Sequence, residues 1–232
     1  MRDFPGTMKA LTKYGTRLRI HNLFPVLLVG LALPVQAETT RILALGDSLT
    51  QGYGLMDGEG FVPQLQAWLT ARGYDVQIVN GGVSGDTSAG GLARVDWSLT
   101  PDIEGMIVTL GGNDLLRGLD PAVTRSNIDG ILTAAEAKDV AVLLVGMTAP
   151  GNYGPDYKAS FDALYPALAS QHDSLFYPYF FEGILPEGAA PSAAEGLMQA
   201  DGIHPNPEGV AMIVDAIGPT VEQLVERIDA KE

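Results

Sequence analysis

The sequence predicts an α/β fold, in which five parallel strands form a doubly wound sheet with helices on both faces. Short, continuously apolar segments alternate along the chain with longer segments that carry a helical hydrophobic period. Strands that are apolar on both faces are typical of parallel sheets covered by helices on either side. With 232 residues, 46% of them hydrophobic, the chain is long enough for one such domain.

The first half of the predicted domain holds three strands and two helices. Residues 41–45 form an apolar run that predicts a buried strand, and residues 61–72 have the pattern of an amphipathic helix. The stretch "VQIVN", 76–80, predicts the second strand, and residues 88–99 predict a helix. The third strand is expected in "GMIVTLGG", 105–112, which is short, apolar and rich in β-branched residues.

The second half continues the alternation. Residues 121–138 predict a helix with proline in its first turn, and "VAVLLVGM", 140–147, predicts the fourth strand. A helix over 155–171 precedes a weaker fifth strand, "SLFYPYF", 174–180, and a long helix over 207–228 closes the chain. Because ligands of such sheets bind at the carboxyl ends of the strands, the loops that follow the strands should hold the site.

Residues 1–37 are predicted to be a cleaved signal peptide and residues 38–232 the mature domain. A basic region precedes the apolar run 23–35, which ends in the signal-peptidase pattern Val35-Gln36-Ala37. As a helix this run would span only ~20 Å of a ~30 Å bilayer core, so the mature form should have no stable membrane span. The periplasm is the expected location; secretion and an uncleaved anchor are the alternatives.

The predicted mature chain is strongly acidic and has no cysteine. Residues 1–37 contain five of the 14 Lys and Arg residues and one of the 28 Asp and Glu residues, which leaves a formal charge of −18. Such a body repels phosphate backbones, so no nucleic-acid partner is expected. The absence of cysteine excludes disulfides, thiol catalysis and thiolate metal sites. The oligomeric state is not predicted.

A candidate nucleophile follows the first predicted strand. The stretch "ALGDSLTQGYGL", 44–55, presents Ser48 beside a carboxylate and before two glycines. Acyl transfer to a hydroxyl needs a base, a group that orients the base, and donors for the oxyanion. Ser48 does not lie in the G-x-S-x-G elbow of the α/β-hydrolases, and a helix cap is the alternative role. Ser84, in "GVSGD", is a rival hydroxyl.

The candidate base is found among three histidines. His21 lies in the predicted leader, and His172 ends a predicted helix, where histidine is common because of the helix dipole. His204 lies three residues after Asp201 in "ADGIHPNPEG", a spacing that lets the carboxylate reach the imidazole on a tight turn. A turn that merely leads into the final helix explains the same residues, so the local sequence leaves both interpretations open.

Two glycine-rich loops offer oxyanion donors. Glycines in "NGGVSGDTSAGG", 80–91, allow a backbone N–H to approach a ligand closely, and Asn113 in "LGGNDLLRG" carries an uncharged amide. Either loop alone is also explained by ordinary turn and cap chemistry.

Four stretches in order, "GDSLTQGYG", "GGVSGDTSAGG", "GGND" and "DGIHPNPEG", resemble the four sequence blocks of the SGNH (GDSL) hydrolases. The resemblance runs from about Arg41 to Val225. "SGDTSAGGLAR", "GGNDLLRG" and "PGNYGPDY" resemble in particular the bacterial periplasmic arylesterase, acyl-CoA thioesterase and lysophospholipase subgroup. The resemblance implies a flavodoxin-like three-layer α/β/α sandwich, the SGNH hydrolase fold, with neither a metal nor an organic cofactor.

The resemblance also implies roles for five residues. Ser48 would be the nucleophile and would give its backbone N–H to the oxyanion; Gly85 would add a backbone N–H and Asn113 its side-chain amide. Asp201 and His204 would complete the triad. The implied activity is hydrolysis of small carboxylic esters or thioesters, with aryl or short-to-medium acyl groups, through an acyl-enzyme. A carbohydrate O-acetyl esterase and an inactive periplasmic binding module on the same fold are the alternatives.

Loops 53–59, 115–119 and 148–156 are expected to shape the substrate pocket. The expected substrate contacts within them are Tyr53, Leu55, Leu115, Leu116 and Tyr153. Residues 180–199 are expected to form a mobile flap or a plain connector.

Six further side chains are given less specific roles. Asp47 and Asp86 are expected to brace loops, and Arg117 is expected to be a surface charge, with a polar substrate group as the alternative partner. Trp68 and Trp97 lie on predicted helices and are expected to pack against the core. His172 is expected to have no catalytic role.

Overall fold

The computed structural model describes Gly15, residues 39–186, Ala189 and residues 191–231. The predicted signal peptide, residues 1–37, lies outside the described residues except for Gly15, so its cleavage and the export of the protein stay predictions. Across the described ranges, no helix is both long enough and apolar enough to cross a membrane.

The described residues contain one sheet of five parallel strands, as the sequence predicts. The strands are β1 (Thr40–Gly46), β2 (Val76–Gly82), β3 (Gly105–Thr109), β4 (Ala141–Val145) and β5 (Leu175–Tyr177). Their order across the sheet is β2-β1-β3-β4-β5. Gly46 pairs with Gly82 on one side and Thr109 on the other, so three strands end level with one another at one edge.

The helices differ from the predicted set by two short additions at that edge. They are α1 (Ser48–Gln51), α2 (Phe61–Ala71), α3 (Ser88–Ser98), α4 (Gly112–Leu116), α5 (Pro121–Glu136), α6 (Pro155–Gln171) and α7 (Pro207–Asp229). The short helices α1 and α4 were not predicted, because four or five residues show no hydrophobic period. The predicted third strand stops at Thr109 because the chain turns at Gly111, where φ is 109°.

Two helix layers cover the sheet, which makes the fold a three-layer α/β/α sandwich. Helices α2 and α7 pack together on one face, and α3, α5 and α6 pack side by side on the other. All five residues of β3 and all five of β4 are buried between the layers. Each large apolar side chain buried there contributes roughly 1.5–3 kcal/mol to stability.

The two tryptophans have different environments. Trp68 is 9% exposed, packs against Gly218 of α7, and donates its indole N–H to Asp215 at 2.9 Å. The expectation that Trp97 packs against the core is wrong, because 71% of its surface is exposed. Helix α3 faces the sheet with a stripe that includes Gly91 and Val95, and Trp97 lies off that stripe.

Candidate active site

The turn after β1 presents Ser48 at the edge where three strands end. The sharp turn needs glycine at position 46, because a Cβ there would overlap the Thr50 side chain. Asp47 caps the short helix that follows, accepting the Leu49 backbone N–H at 3.0 Å. Ser48 therefore begins α1 with its side chain half-buried, and the cap is the residue before it.

The loop before α7 brings Asp201 and His204 to the same place. His204 Nε2 lies 2.8 Å from Ser48 Oγ, and His204 Nδ1 lies 2.6 Å from Asp201 Oδ2. The Asp201 carboxylate can only accept a hydrogen bond, so the proton of the neutral imidazole lies on Nδ1. Nε2 is then free to accept a hydrogen bond from the Ser48 O–H. The three side chains form a continuous hydrogen-bonded series, although 153 residues separate Ser48 from Asp201 in the chain.

Asp201 is held in its ionised form. The hydrogen bond from His204 is the largest cause, and the backbone N–H groups of Ile203 and His204 also donate to Asp201 Oδ1 at 2.9 and 3.0 Å. Together they lower the pKa of Asp201 to about 2. A permanent negative charge beside the imidazole stabilises the imidazolium that forms when His204 takes a proton.

Tyr53 and Gln199 fix the position of His204. The Tyr53 ring packs against the imidazole, with 4.8 Å between the ring centroids. Gln199 binds both loops: its backbone N–H donates to the His204 carbonyl at 2.8 Å, and its side-chain amide donates to the Tyr53 carbonyl at 2.8 Å. Tyr53 was predicted as a substrate contact, whereas nothing in the local sequence singled out Gln199.

The proposed oxyanion donors lie in two turns at the same edge. Gly85 lies in a tight turn with a φ of 82°, in which the Asp86 N–H donates to the Val83 carbonyl at 3.0 Å. Asn113 lies on α4, and one N–H of its amide donates to Asp47 at 3.1 Å. An amide nitrogen carries two N–H bonds, so Asn113 retains one for a ligand.

The hydrogen bonds of Asp47 within the described part of the chain are to the protein itself. Its side chain is 2% exposed, and this burial raises its pKa to about 6. Hydrogen bonds from Leu49 and Asn113 act in the opposite direction. These contacts tie the Ser48 turn to α4, which is the bracing role that the sequence suggested.

The site opens into a cavity of about 1290 Å³. Its lining includes the predicted residues Ser48, Tyr53, Gly85, Asn113, Leu115, Leu116 and His204. Its apolar wall also includes residues from and after β5 that were not predicted: Phe176, Pro178, Tyr179, Phe181, Ile184 and Leu185. The end of β5 lies at the same sheet edge as the nucleophile, so the strand-end rule could have pointed to them.

Two of the predicted substrate contacts, Leu55 and Tyr153, do not line this cavity. Leu55 packs against the hydrophobic core instead. Tyr153 stacks on Tyr157 with 4.9 Å between ring centroids, and its ring lies over Gly118. Both residues were predicted from their loop positions and their apolar or aromatic side chains, but those side chains pack against neighbours outside the cavity.

The remaining candidates have partners of their own. Ser84 donates to Gln51 at 2.8 Å, and His172 is bound between Asp129 and Glu136 at 2.7 and 2.8 Å. Arg117 is exposed and donates to the Gly85 carbonyl at 2.8 Å. Among the described residues, no group of three or more His, Asp or Glu side chains is arranged to hold a metal ion.

The described part of residues 180–199 contributes many of the residues that line the cavity. Phe180 and Ile184 are 1% and 3% exposed, and the Phe180 N–H donates to the Gly146 carbonyl at 3.0 Å. A segment with buried side chains and a backbone tied to the end of β4 is not a plain connector. Glu187, Gly188 and Ala190 lie outside the described residues.

Comparison with known proteins identifies the family to which the chain is similar. The model of the GDSL-like lipase/acylhydrolase family matches residues 44–212. Esterase TesA of Pseudomonas aeruginosa is 39% identical over 194 residues, which cover 83% of this chain and 93% of the relative. Thioesterase 1/protease 1/lysophospholipase L1 of Escherichia coli K12 is 35% identical over 190 residues, covering 82% of this chain and 86% of the relative.

A solved structure agrees with the sequence match. The crystal structure of AlinE4, an SGNH-hydrolase family esterase, is 42% identical and has a TM-score of 0.65, covering 80% of this chain and 96% of that one. The match to the family model, residues 44–212, contains all four of the sequence blocks quoted above.

Proposed function

The chain belongs to the GDSL-like lipase/acylhydrolase family and is a carboxylic ester hydrolase, and we propose that it is a serine esterase with Ser48, His204 and Asp201 as its triad. The observation that carries the proposal is the 2.8 Å separation of Ser48 Oγ and His204 Nε2, at the wall of a large cavity. A helix-capping serine has no need of an imidazole aligned by a carboxylate.

The proposed reaction proceeds in two halves. Ser48 Oγ attacks the acyl carbonyl carbon while His204 Nε2 takes the serine proton, and the C=O electron pair moves to oxygen. The backbone N–H groups of Ser48 and Gly85 and the amide of Asn113 stabilise this oxyanion. As the tetrahedral intermediate collapses, His204 gives the proton to the leaving oxygen or sulfur.

Deacylation repeats these steps with water. His204 takes a proton from a water molecule while the water oxygen attacks the carbonyl carbon of the acyl-enzyme. His204 then returns the proton to Ser48 Oγ as the carboxylic acid leaves. Asp201 stays ionised throughout, because its pKa of about 2 lies far below neutral pH. No metal or cofactor is needed for any of these steps.

The cavity supports small esters or thioesters with an aryl or short-to-medium acyl group as substrates. Leucines 115 and 116 and the side chains after β5 offer an apolar surface beside Ser48. A carbohydrate O-acetyl esterase would need polar groups and aromatic platforms for a sugar. The location proposed for this activity is the periplasm, which rests on the signal-peptide pattern of residues 1–37.

The test compares Ser48→Ala with the wild type on 4-nitrophenyl esters from acetate to palmitate. We expect Ser48→Ala to lose essentially all turnover and all labelling by a fluorophosphonate, because no nucleophile remains. The profile across the series gives the preferred chain length. The matched control is Ser160→Ala, which removes an exposed hydroxyl of α6 that donates to the Asp156 carbonyl.

The control should keep wild-type rates on every ester. If Ser48→Ala turned over esters as fast as the wild type, the triad proposal would be wrong. A wild type that neither hydrolyses these esters nor reacts with the fluorophosphonate would favour the binding module instead.

A further inference from the structure

A buried arginine, Arg94 on α3, binds beside the turns that hold Ser48 and Gly85. Only 9% of the residue is exposed, yet its guanidinium makes three hydrogen bonds. Nη2 donates to the Gly46 carbonyl at 2.7 Å, Nη1 to the Gly81 carbonyl at 2.6 Å, and Nε to Asp86 Oδ2 at 2.8 Å. The first two acceptors are at the carboxyl ends of β1 and β2.

The three acceptors require an arginine. A guanidinium is a rigid planar fork whose N–H groups reach several acceptors at once, whereas a lysine ammonium is a compact point charge on a flexible stem. Burying a charge is costly unless it is paired and hydrogen-bonded, and the Asp86 carboxylate supplies the pairing. All three acceptors of the guanidinium lie at strand ends or in the turns of the proposed site.

These contacts flank the two proposed backbone donors. Gly46 lies two residues before Ser48, and Asp86 directly follows Gly85. The two turns also meet directly, since the Val83 N–H donates to the Gly46 carbonyl at 3.0 Å.

The Asp86 carboxylate is enclosed on its other side by α3. A Cβ on Gly90 would lie 2.6 Å from Asp86 Oδ1, so the helix backbone approaches the carboxylate closely. The turn that contains Gly85 is therefore held between Arg94 and the first turn of α3.

We propose that Arg94 is a positioning residue of the oxyanion hole, which holds the Ser48 and Gly85 turns at the separation that aims both backbone N–H groups at one oxygen. This inference rests on the proposed serine-esterase function. Catalysis by preorganised dipoles depends on the direction of each donor, so a small rotation of the Gly85 peptide weakens stabilisation of the transition state. Binding of the ground-state ester depends on the cavity wall and is affected much less.

The competing interpretation is that Arg94 only stabilises the fold. The positioning and structural interpretations can be separated by experiment. A purely structural role changes the amount of folded enzyme and its melting temperature. A positioning role lowers kcat per competent site while KM stays nearly constant. It also weakens binding of inhibitors that form a tetrahedral oxyanion on the serine.

The experiment uses Arg94→Lys and Asp86→Ala in the otherwise wild-type protein. Asp86→Ala removes the bridge to the Gly85 turn together with the counter-charge of Arg94, and it leaves the arginine bonded to both strand ends. The matched control is Arg72→Lys, because Arg72 lies over the Trp68 ring beside α7, away from the site. Burst amplitude with a slow ester gives the concentration of competent sites.

We measure kcat and KM for 4-nitrophenyl butyrate and the Ki of a trifluoromethyl ketone. We expect kcat per site to fall about 10- to 100-fold in both variants, less than the ~10²–10³ for complete loss of a donor. KM should change by less than about threefold, and Ki should rise in parallel with the fall in kcat. Arg72→Lys should match the wild type.

The inference is overturned if both folded variants keep kcat per site within threefold of the wild type, or if kcat falls while the Ki of the ketone does not change. If Arg94→Lys does not fold, Asp86→Ala decides the matter on the same criteria. Absence of turnover in the wild type would instead refute the proposed function, so the two failures are distinguishable.

Discussion

Asp47 and Asp201 both lie close to Ser48, but their carboxyl groups have very different pKa values. Asp201 accepts hydrogen bonds from His204 and two backbone N–H groups, which lower its pKa to about 2. Asp47 is buried, and the loss of solvent raises its pKa to about 6. Near neutral pH Asp201 is fully ionised and stabilises the imidazolium of His204, whereas Asp47 gains a proton in mildly acidic solution.

The orientation of Asn113 depends on Asp47, and this gives the first prediction at the residue scale. Asn113→Ala should lower kcat by about 10²–10³ and change KM by less than about threefold, because the amide acts only when the oxyanion has formed. Steady-state kinetics on a 4-nitrophenyl ester measures both constants.

The matched control for this prediction is Asn152→Ala, which removes an exposed asparagine that does not line the cavity. The control should keep wild-type constants. An Asn113→Ala variant with kcat within threefold of the wild type would show that Asn113 is not an oxyanion donor.

At the level of the helices, His172 at the C-terminal end of α6 joins that helix to α5. The imidazole is 6% exposed and lies between two carboxylates of α5, with Nε2 2.7 Å from Asp129 and Nδ1 2.8 Å from Glu136. Gln171 adds a hydrogen bond to Asp129 at 2.8 Å and is itself bonded by Arg125 at 3.1 Å. Burial works against a charged ring, but the two carboxylates outweigh it and raise the pKa of His172.

This raised pKa predicts how stability changes with pH. The folded pKa lies above the ordinary value of 6.5, so the ion pairs stabilise the protein fully below pH 6.5, and that contribution disappears as the pH rises through the folded pKa. We expect His172→Gln to lower the free energy of unfolding by about 1–3 kcal/mol at pH 5.5 and by less at pH 9.

Urea denaturation of both proteins at the two pH values measures the difference. Enzymatic activity per folded molecule should not change, because His172 does not line the cavity. An equal loss of stability at pH 5.5 and pH 9 would contradict an ionic role for His172.

The whole molecule depends on the sheet that joins these elements. Strand β3 lies at the centre of the order β2-β1-β3-β4-β5, between the two helix layers, and its five residues are buried. The positions of the catalytic loops follow from this sheet, because the turns after β1 and β2 and the short helix after β3 start from strand ends that lie level.

Shortening a buried side chain of the central strand should therefore lower the stability of the whole protein. Ile107 is 1% exposed, and Ile107→Ala should lower the free energy of unfolding by about 2–5 kcal/mol, because it leaves a cavity between the helix layers. The control Val123→Ala, at a residue that is 50% exposed, should change it by less than about 0.5 kcal/mol. Thermal or urea unfolding compares the two, and an equal small loss in both would show that β3 is not the centre of the core.

Much of the fold and part of the candidate site could be predicted from the sequence. The five strands, five long helices and the sheet class follow from local hydrophobic period, which each segment carries in its own residues. The tight turns around Ser48, Gly85, Asn113 and His204 are also encoded locally, by glycines and by side chains that cap helices. Their catalytic roles came from the resemblance to a family and remain proposals.

Contacts between distant segments could not be predicted in this way. The helices α1 and α4 are too short for a period, and Trp97 occupies a helix position whose exposure depends on how α3 packs. Leu55 and Tyr153 bind to neighbours outside the cavity, while side chains after β5 enter it.

The five strands and the five long helices follow from the sequence alone, because each depends on interactions within a few residues. The contacts between these segments depend on the folded structure: Ser48 lies 2.8 Å from His204, Arg94 binds the ends of β1 and β2, and part of the cavity wall comes from β5 and the residues after it. The physical reason is that these meetings depend on strand order and helix packing, which are set by the free energy of the whole core.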